Sequence, residues 1–590
     1  MKLETLNDIF FNSVTSNHPR VMTCRKGGRW LNISSQELYR QVTAVARALQ
    51  SWGLGKGDHV AILSENRPEW QIADFACLML GVVDVPIYAT LPADQIIYLL
   101  NNSEARAVFV STEEQLQKVL QIRSQTKIEK IVLMDDVPRS EAVSFQSLTA
   151  NAPAGRDAAL DSIAQAIKPD DLATIIYTSG TTGTPKGAML THGNIASNIG
   201  FSLRDFGSAP CDLSISYLPL SHITARHLDY YCLQCGITLA YCAHLEDLPQ
   251  TMLETKPTIM VSVPRVYEKV YNKVLVETRS GIKHKIYEWA MKVGRAHREE
   301  ILAGQTPSSF KWKLANTLLF SKIHKGFGGK TRAFISGGAP LGIDLATWFA
   351  DAGIVILQGY GLTETSPVIA INTPAVNRLG TVGKKLPNVE IRIAEDGELL
   401  VRGPSVFRGY WKLPEESQNA FADGWFKTGD IATLDSDGFL SITDRKKDLI
   451  KTSGGKFIAP QPLENQLKAN PLVSQAAIIG ERRKFPAVII APQFGALQEW
   501  ARENNVSFSS PGQLVANPKV QELYEGIVEA LNAKLAQFEK LKKVLLVPDE
   551  FSIATGELTP SMKLKRRFVE QKYKVQVDAL YSQAEAGVTV

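Results

Sequence analysis

The chain has 590 residues, 44% of them hydrophobic and 21% charged, with a net charge of +5. That length calls for two or three domains, and the balance is that of a folded protein, not a disordered one. So slight a charge gives no global pull toward nucleic acid, and no nucleic-acid partner is expected.

The opening Met1-Lys2-Leu3-Glu4-Thr5 lacks an apolar stretch, so no secretory leader is expected. A helix is predicted over 35–55, with Ser35 as cap and Leu38, Val42, Val45, Ala46, Leu49 and Trp52 at helical spacing before Gly53 and Gly55. A strand Val60–Ser64, a helix Pro68–Gly81 and a strand Val83–Ile87 follow, an alternation that argues for a layered α/β core. The most apolar window, Ala73 to Ala89, is short for a bilayer span and contains Asp74 and Asp84. The expectation is a cytoplasmic chain whose membrane contact, if any, is peripheral.

The apolar run Leu172–Ile176 reads as a buried strand. Behind it stands Tyr177-Thr178-Ser179-Gly180-Thr181-Thr182-Gly183-Thr184-Pro185-Lys186-Gly187. Glycines and hydroxyls leaving a strand offer N–H and O–H groups to an anion, and Lys186 adds a point charge suited to polyphosphate. The spacing is not that of the common nucleotide P-loop. Gly329-Lys330-Thr331 imitates the end of one, but His324 stands where a glycine is required.

Further apolar strands are predicted at Leu213–Leu220, Thr258–Val263, Arg332–Ser336 and Ile354–Gln358. Cys232 and Cys235 have metal-like spacing, but they lack a second pair and sit in an apolar run, so they read as buried small hydrophobes. Six cysteines in apolar contexts suit a reducing compartment. Residues 265–330 carry 14 Lys/Arg against 5 Glu, interleaved with Trp289, Phe310, Trp312 and Phe320. They read as a helical insertion with a solvated basic face, or as a segment able to lie on an anionic membrane.

After about residue 380 the pattern turns to hairpins, with strands Val389–Ile393, Glu398–Val401 and Phe439–Thr443 and turns at Asp396-Gly397, Asp423-Gly424 and Asp437-Gly438. The charged run Asp444-Arg445-Lys446-Lys447-Asp448 reads as an inter-domain hinge or a solvated hairpin tip. Residues 451–590 read as a smaller unit with a helix at 516–540.

Five more motifs follow the loop in a fixed order: Tyr217-Leu218-Pro219-Leu220-Ser221-His222, Ser336-Gly337-Gly338-Ala339-Pro340, Gln358-Gly359-Tyr360-Gly361-Leu362-Thr363-Glu364-Thr365, Thr428-Gly429-Asp430 and Lys451-Thr452-Ser453-Gly454-Gly455-Lys456. Together they resemble the adenylate-forming (AMP-binding) superfamily, and within it the long-chain fatty acyl-CoA synthetases. The long-chain resemblance rests on Gln358–Glu364, on the continuation 455–462 and on the insertion 265–330. It implies an α/β fold: a large N-terminal domain of layered sheets with a small β-barrel-like part (1–443), a hinge (444–450), and a small mobile α+β C-terminal domain (451–590). The implied reaction has two steps. A fatty carboxylate and ATP give acyl-AMP and pyrophosphate, and CoA then displaces AMP.

The same resemblance suggests roles for single residues. Thr178, Ser179, Gly180, Thr181, Thr182, Gly183 and Lys186 match the pyrophosphate cradle, and Glu364 with Thr178 matches the Mg²⁺ site. Tyr360 matches the aromatic on adenine, Gly337 and Gly338 the backbone beside it, and Gln358, Gly359 and Gly361 the rest of that nucleotide motif. Thr363 matches a hydroxyl on the α-phosphate, and Asp430 with Arg445 the ribose site. His222 matches a histidine near the substrate carboxylate. Lys563, in Thr559-Pro560-Ser561-Met562-Lys563-Leu564-Lys565, matches the adenylation lysine, although the superfamily usually has glycine where Met562 stands, and Lys565 is a rival. Lys447 matches the hinge position, and Gly454 with Gly455 the stretch that meets the pantetheine in the second step. The alternatives are a fatty acyl-AMP ligase that serves a separate carrier protein, and a catalytically silent nucleotide-binding protein.

Overall fold

The computed structural model describes residues 3–150, 152, 155–178, 184–209, 211–453, 456–552, 554–559 and 563–586, with side chains to residue 582. The N-terminal part is layered helix–sheet–helix–sheet–helix. A seven-stranded sheet runs in the order Val143–Ser144, Lys130–Leu133, Ala107–Val110, His59–Leu63, Val83–Ile87, Leu172–Thr178, Lys186–Thr191. All its pairs are parallel except the last. A nine-stranded sheet holds a parallel centre of Thr238–Tyr241, Leu213–Ser216, Ile259–Ser262, Ala333–Ser336 and Ile356–Gly361.

Alternation along the strands splits the core cleanly. Val60 and Ile62 face the central helices, whereas Ala61 and Leu63 face the helices Ala93–Ser103 and Glu113–Ile122. In the second sheet Ile259 and Val261 join the central core, and Met260 joins the cluster beneath the basic insertion. Strands with both faces covered must be apolar on both. That is why these strands are legible as continuous apolar runs.

The expected elements are present with adjusted ends. Ser34, not Ser35, caps the helix Ser35–Ser51 by accepting the Glu37 N–H at 3.1 Å, because the Ser35 hydroxyl donates to the Ser13 carbonyl at 2.9 Å. The strand expected to reach Leu220 stops at Ser216, where Asn66 ties the next residues away from the sheet. The helix expected over 516–540 spans only Pro518–Asn532, since the Asn532 side chain turns back to donate to the Leu541 carbonyl and accept its N–H. Asp74 and Asp84, which weighed against a membrane span, lie wholly buried around Arg226, each within 2.9 Å of its guanidinium. Among the described residues no helix is long and apolar enough to cross a membrane.

The β-barrel-like part is a five-stranded antiparallel sheet of Glu390–Ile393, Glu398–Arg402, Phe421–Ala422, Trp425–Leu434 and Leu440–Arg445. The charged run is no hairpin tip. Asp444 and Arg445 finish the last of these strands, Lys446–Asp448 turn, and Ile450–Lys451 begins a new two-stranded sheet with Phe457–Ile458. Beyond it a three-stranded sheet, Val473–Ile479, Ala487–Pro492 and Val544–Leu546, is covered by helices on both faces.

The basic insertion folds as helices Pro264–Glu277, Gly281–Ala296, Arg298–Leu302, Phe310–Ala315 and Ser321–Gly326. It also touches the C-terminal lobe. Arg279 pairs with Glu499 at 3.2 Å and Glu503 at 2.7 Å, and Lys468 stands 3.9 Å from Glu268.

Candidate active site

Ser336 and the stretch Gln358–Gly361 lie at the carboxyl ends of adjacent parallel strands, the edge at which open α/β sheets take ligands. A cavity of about 380 Å³ opens there, lined by Gly338, Gln358, Gly359, Tyr360, Gly361, Asp430, Arg445 and Lys563 among others. The Gln358 side chain accepts the Leu341 N–H at 3.2 Å, which fixes the loop after Gly337 and Gly338. Gly338 has φ +78°, and a Cβ there would meet nothing nearer than 3.7 Å, so its backbone lies open to the cavity. Gly361 is different. A Cβ would fall 1.7 Å from the Pro367 carbonyl oxygen, so glycine is required for the next strand to pack.

Tyr360 donates its hydroxyl to Asp430 at 2.5 Å, and Arg445 lies directly across the strand pair from Asp430, 3.4 Å from its carboxylate. Burial pushes the Asp430 carboxyl upward, against the pull of Arg445, the Tyr360 hydroxyl, Lys563 and Lys447. Thr363 and Glu364 form a buried turn directly behind Tyr360.

The hairpin stem of the threonine-rich loop is held in register, with Thr178 opposite Lys186 and the Thr178 hydroxyl 3.4 Å from the Lys186 carbonyl. Ser179, Gly180, Thr181, Thr182 and Gly183 lie outside the described residues, as do Gly454 and Gly455. Tyr410 joins this stem to the rest. The Lys186 ammonium stands 5.4 Å from its ring centre, and its hydroxyl donates to Glu364 at 2.8 Å. Nothing in the sequence marks Tyr410, which is one aromatic among Phe407, Tyr410 and Trp411.

Lys563 reaches the same cavity from the C-terminal lobe. Burial, with Arg445 and Lys447 nearby, brings its ammonium down to about 8, while Asp430 and Glu364 pull the other way. Lys447 is itself lowered, by burial first and Arg445 second. Lys565 points elsewhere in its roles: it opens the helix Arg566–Lys572, and its N–H donates to the Glu557 carbonyl.

His222 caps the helix Ile223–Cys235, its Nδ1 accepting the Thr224 N–H at 3.2 Å. Burial, and then the charge of Lys563, hold its imidazole down at about 4. The ring is therefore neutral at working pH, and with Nδ1 accepting, Nε2 carries the proton and can donate. Asn66 secures the approach to this residue. Its amide donates to Leu218 O at 2.7 Å and Ser216 Oγ at 3.2 Å, and its oxygen accepts the Leu220 N–H at 3.2 Å. His227 points away from this role, its Nε2 2.9 Å from Ser202 Oγ.

The donor set fits a magnesium nucleotide. Among the described residues no three acidic, His or Cys groups form a metal site. Mg²⁺ at nucleotide sites commonly takes one or two carboxylates and completes its shell with phosphate oxygens and water. Glu364 supplies such a carboxylate beside the hydroxyl-bearing stem. Cys232 is buried, whereas Cys235, also expected to be buried, is half-buried.

Comparison with known proteins gives a consistent answer. The AMP-binding enzyme family matches residues 11–411, and the AMP-binding enzyme C-terminal domain matches 447–585. The chain is 37% identical over 561 residues to long-chain-fatty-acid–CoA ligase FadD15 of Mycobacterium bovis, covering 94% of this chain and 93% of the relative. It is 32% identical to the peroxisomal long chain acyl-CoA synthetase 7 of Arabidopsis thaliana, covering 95% and 82%. The adenylation domain of a carboxylate reductase from Mycobacterium chelonae shares the fold at TM-score 0.78 and 23% identity, over 98% of this chain and 91% of that one. ATP-bound MatB from Rhodopseudomonas palustris superposes at TM-score 0.71 and 25% identity, over 97% and 99%.

Proposed function

We infer the function from one premise: this chain belongs to the AMP-binding enzyme family. It is an ATP-using, AMP-forming long-chain fatty acid–CoA ligase. We propose the following division of labour. The fatty carboxylate attacks the α-phosphorus of ATP, the bond to pyrophosphate breaks, and acyl-AMP forms. The CoA thiol then attacks the acyl carbonyl, and AMP leaves with the electron pair.

The first step brings one anion to another, so charge neutralisation must dominate its barrier. Lys186 and the loop on its stem would hold the departing pyrophosphate. Mg²⁺, when bound through Glu364 and Thr178, would offset phosphate charge. Lys563 would bridge carboxylate and α-phosphate, with Thr363 donating to the latter. Tyr360 would cover the adenine, and its bond to Asp430 would fix that carboxylate for the ribose hydroxyls. His222, neutral and donating from Nε2, would orient the incoming carboxylate. The observation that carries this scheme is Lys563: an ammonium from one lobe lines a cavity shared with Tyr360 and Asp430 of the other.

We further propose that residues 444–450 act as the hinge on which the C-terminal lobe withdraws Lys563 after adenylation and brings Gly454 and Gly455 to the CoA. Chain length would be selected in an apolar tunnel, since each buried CH₂ is worth about 0.8 kcal/mol. The apolar 213–240 segment is the proposed lining. The test is a direct assay with ATP, CoA and a series of fatty acids from acetate upward, following AMP and thioester together. Thioester with a long-chain preference is expected. Acyl-AMP without thioester would favour transfer to a carrier protein, and no product would overturn the reading.

A further inference from the structure

The basic insertion packs on the second sheet and touches the C-terminal lobe through Arg279 and Glu268, but the outer side of its last helical stretch is exposed. From Phe310 the chain runs helically to Gly326, through Phe310–Ala315, Asn316–Phe320 and Ser321–Gly326. Trp312, Leu319 and Ile323 bury its inner side. Phe310 is 81% exposed and Leu314 40% exposed on its outer side. They stand four residues apart and so share a stripe. Lys311, Lys313, Lys322 and Lys325 are exposed around that stripe, and none is ion-paired among the described residues. No Asp or Glu occurs between Glu300 and Asp344.

A purely solvated lysine face accounts for the charge but not for a phenylalanine held in water at its tip. Apolar anchors set in an unopposed cationic field match a surface that is anionic outside and apolar beneath. We propose that this helical face docks on an anionic lipid bilayer, with Phe310 and Leu314 entering the headgroup–acyl boundary and the four lysines against the lipid phosphates. An acidic protein or a soluble polyanion would engage the lysines and leave Phe310 idle. The use of such docking rests on the long-chain ligase reading: long-chain acids reside in bilayers, so the bilayer becomes the reservoir from which substrate is drawn. The docking itself does not depend on that reading and is measured without substrate.

The full chain is sedimented with phosphatidylcholine vesicles and with vesicles that mix phosphatidylcholine and phosphatidylglycerol. Binding to the mixed vesicles alone is expected, weakening as salt rises. Phe310→Ser combined with Leu314→Ser should weaken it by about tenfold or more. Lys311→Glu combined with Lys313→Glu should do at least as much, at about fivefold for each lysine removed. All four positions are exposed, so both variants should keep the wild-type unfolding midpoint and the ligase rate on fatty acid supplied without vesicles. That rate reads the function separately, so failure of the ligase reading would show there and not in the sedimentation. Equal binding to both vesicle types would overturn the proposal. So would an anchor variant that binds like wild type. Capture by heparin, with no binding to mixed vesicles, would assign the face to a polyanion instead.

Discussion

Lys563 lies between two carboxylates that favour its charge, Asp430 and Glu364, and two cations that oppose it, Arg445 and Lys447. Its ammonium is present below about pH 8 and lost above, so kcat/KM for ATP in pyrophosphate exchange should fall as pH rises through about 8, the limb reporting the free enzyme. A profile flat to pH 10 would remove Lys563 from the adenylation step. Lys563→Ala should lower acyl-AMP formation by about a hundredfold or more, the loss typical for a group that stabilises developing charge. Thioester formation from supplied acyl-AMP should be spared. Equal loss of both half-reactions would refute the assignment. His222, held near 4, should contribute no titration between pH 5 and 8.

At the scale of elements, the segment from Ser216 to His222 depends on one side chain outside it. Asn66 satisfies Leu218 O and Leu220 N at once, so Asn66→Ala leaves both without a partner. The expected loss is about 1–3 kcal/mol of stability, with a larger rise in KM for fatty acid than for ATP. Denaturant unfolding and steady-state kinetics measure the two. An unchanged ratio of the KM values would mean that Asn66 serves folding only.

What was legible in the sequence follows the range of the interactions. Ile259–Ser262 was readable to within one residue at each end because a strand covered on both faces is largely apolar. The motifs of the site were readable because each is local: Gln358 to Glu364 is one strand end and one turn. Their joints were not. Tyr410 bonds Glu364 across 46 residues, Asn66 reaches Ser216 across 150, and Arg226 meets Asp84 across 142. No periodicity records such a contact. In the sequence Asp84 weighed only as a charge within an apolar window, whereas the fold makes it one of two buried carboxylates around Arg226.

Over the whole molecule, the proposed scheme asks one lobe to serve the other and then leave it. Lys447 lies in the turn Lys446–Asp448 that follows the strand Leu440–Arg445, the proposed hinge, and Lys447→Pro fixes φ there. Thioester formation should slow more than acyl-AMP formation, because in the proposed scheme only the second step needs the lobe to rotate. Separate assays of pyrophosphate exchange and of acyl transfer check this, and parallel loss would mean that the turn does not act as the hinge.

The ion pairs that Arg279 makes with Glu499 and Glu503 bear on the ease of that departure. Both are half-solvated, and pairs of this kind are worth about 0–1 kcal/mol each and are screened by salt. They moor the lobe without welding it. A tether this weak can be slipped at every turnover with little penalty, and the ionic strength of the medium should bias how long the enzyme waits at each berth.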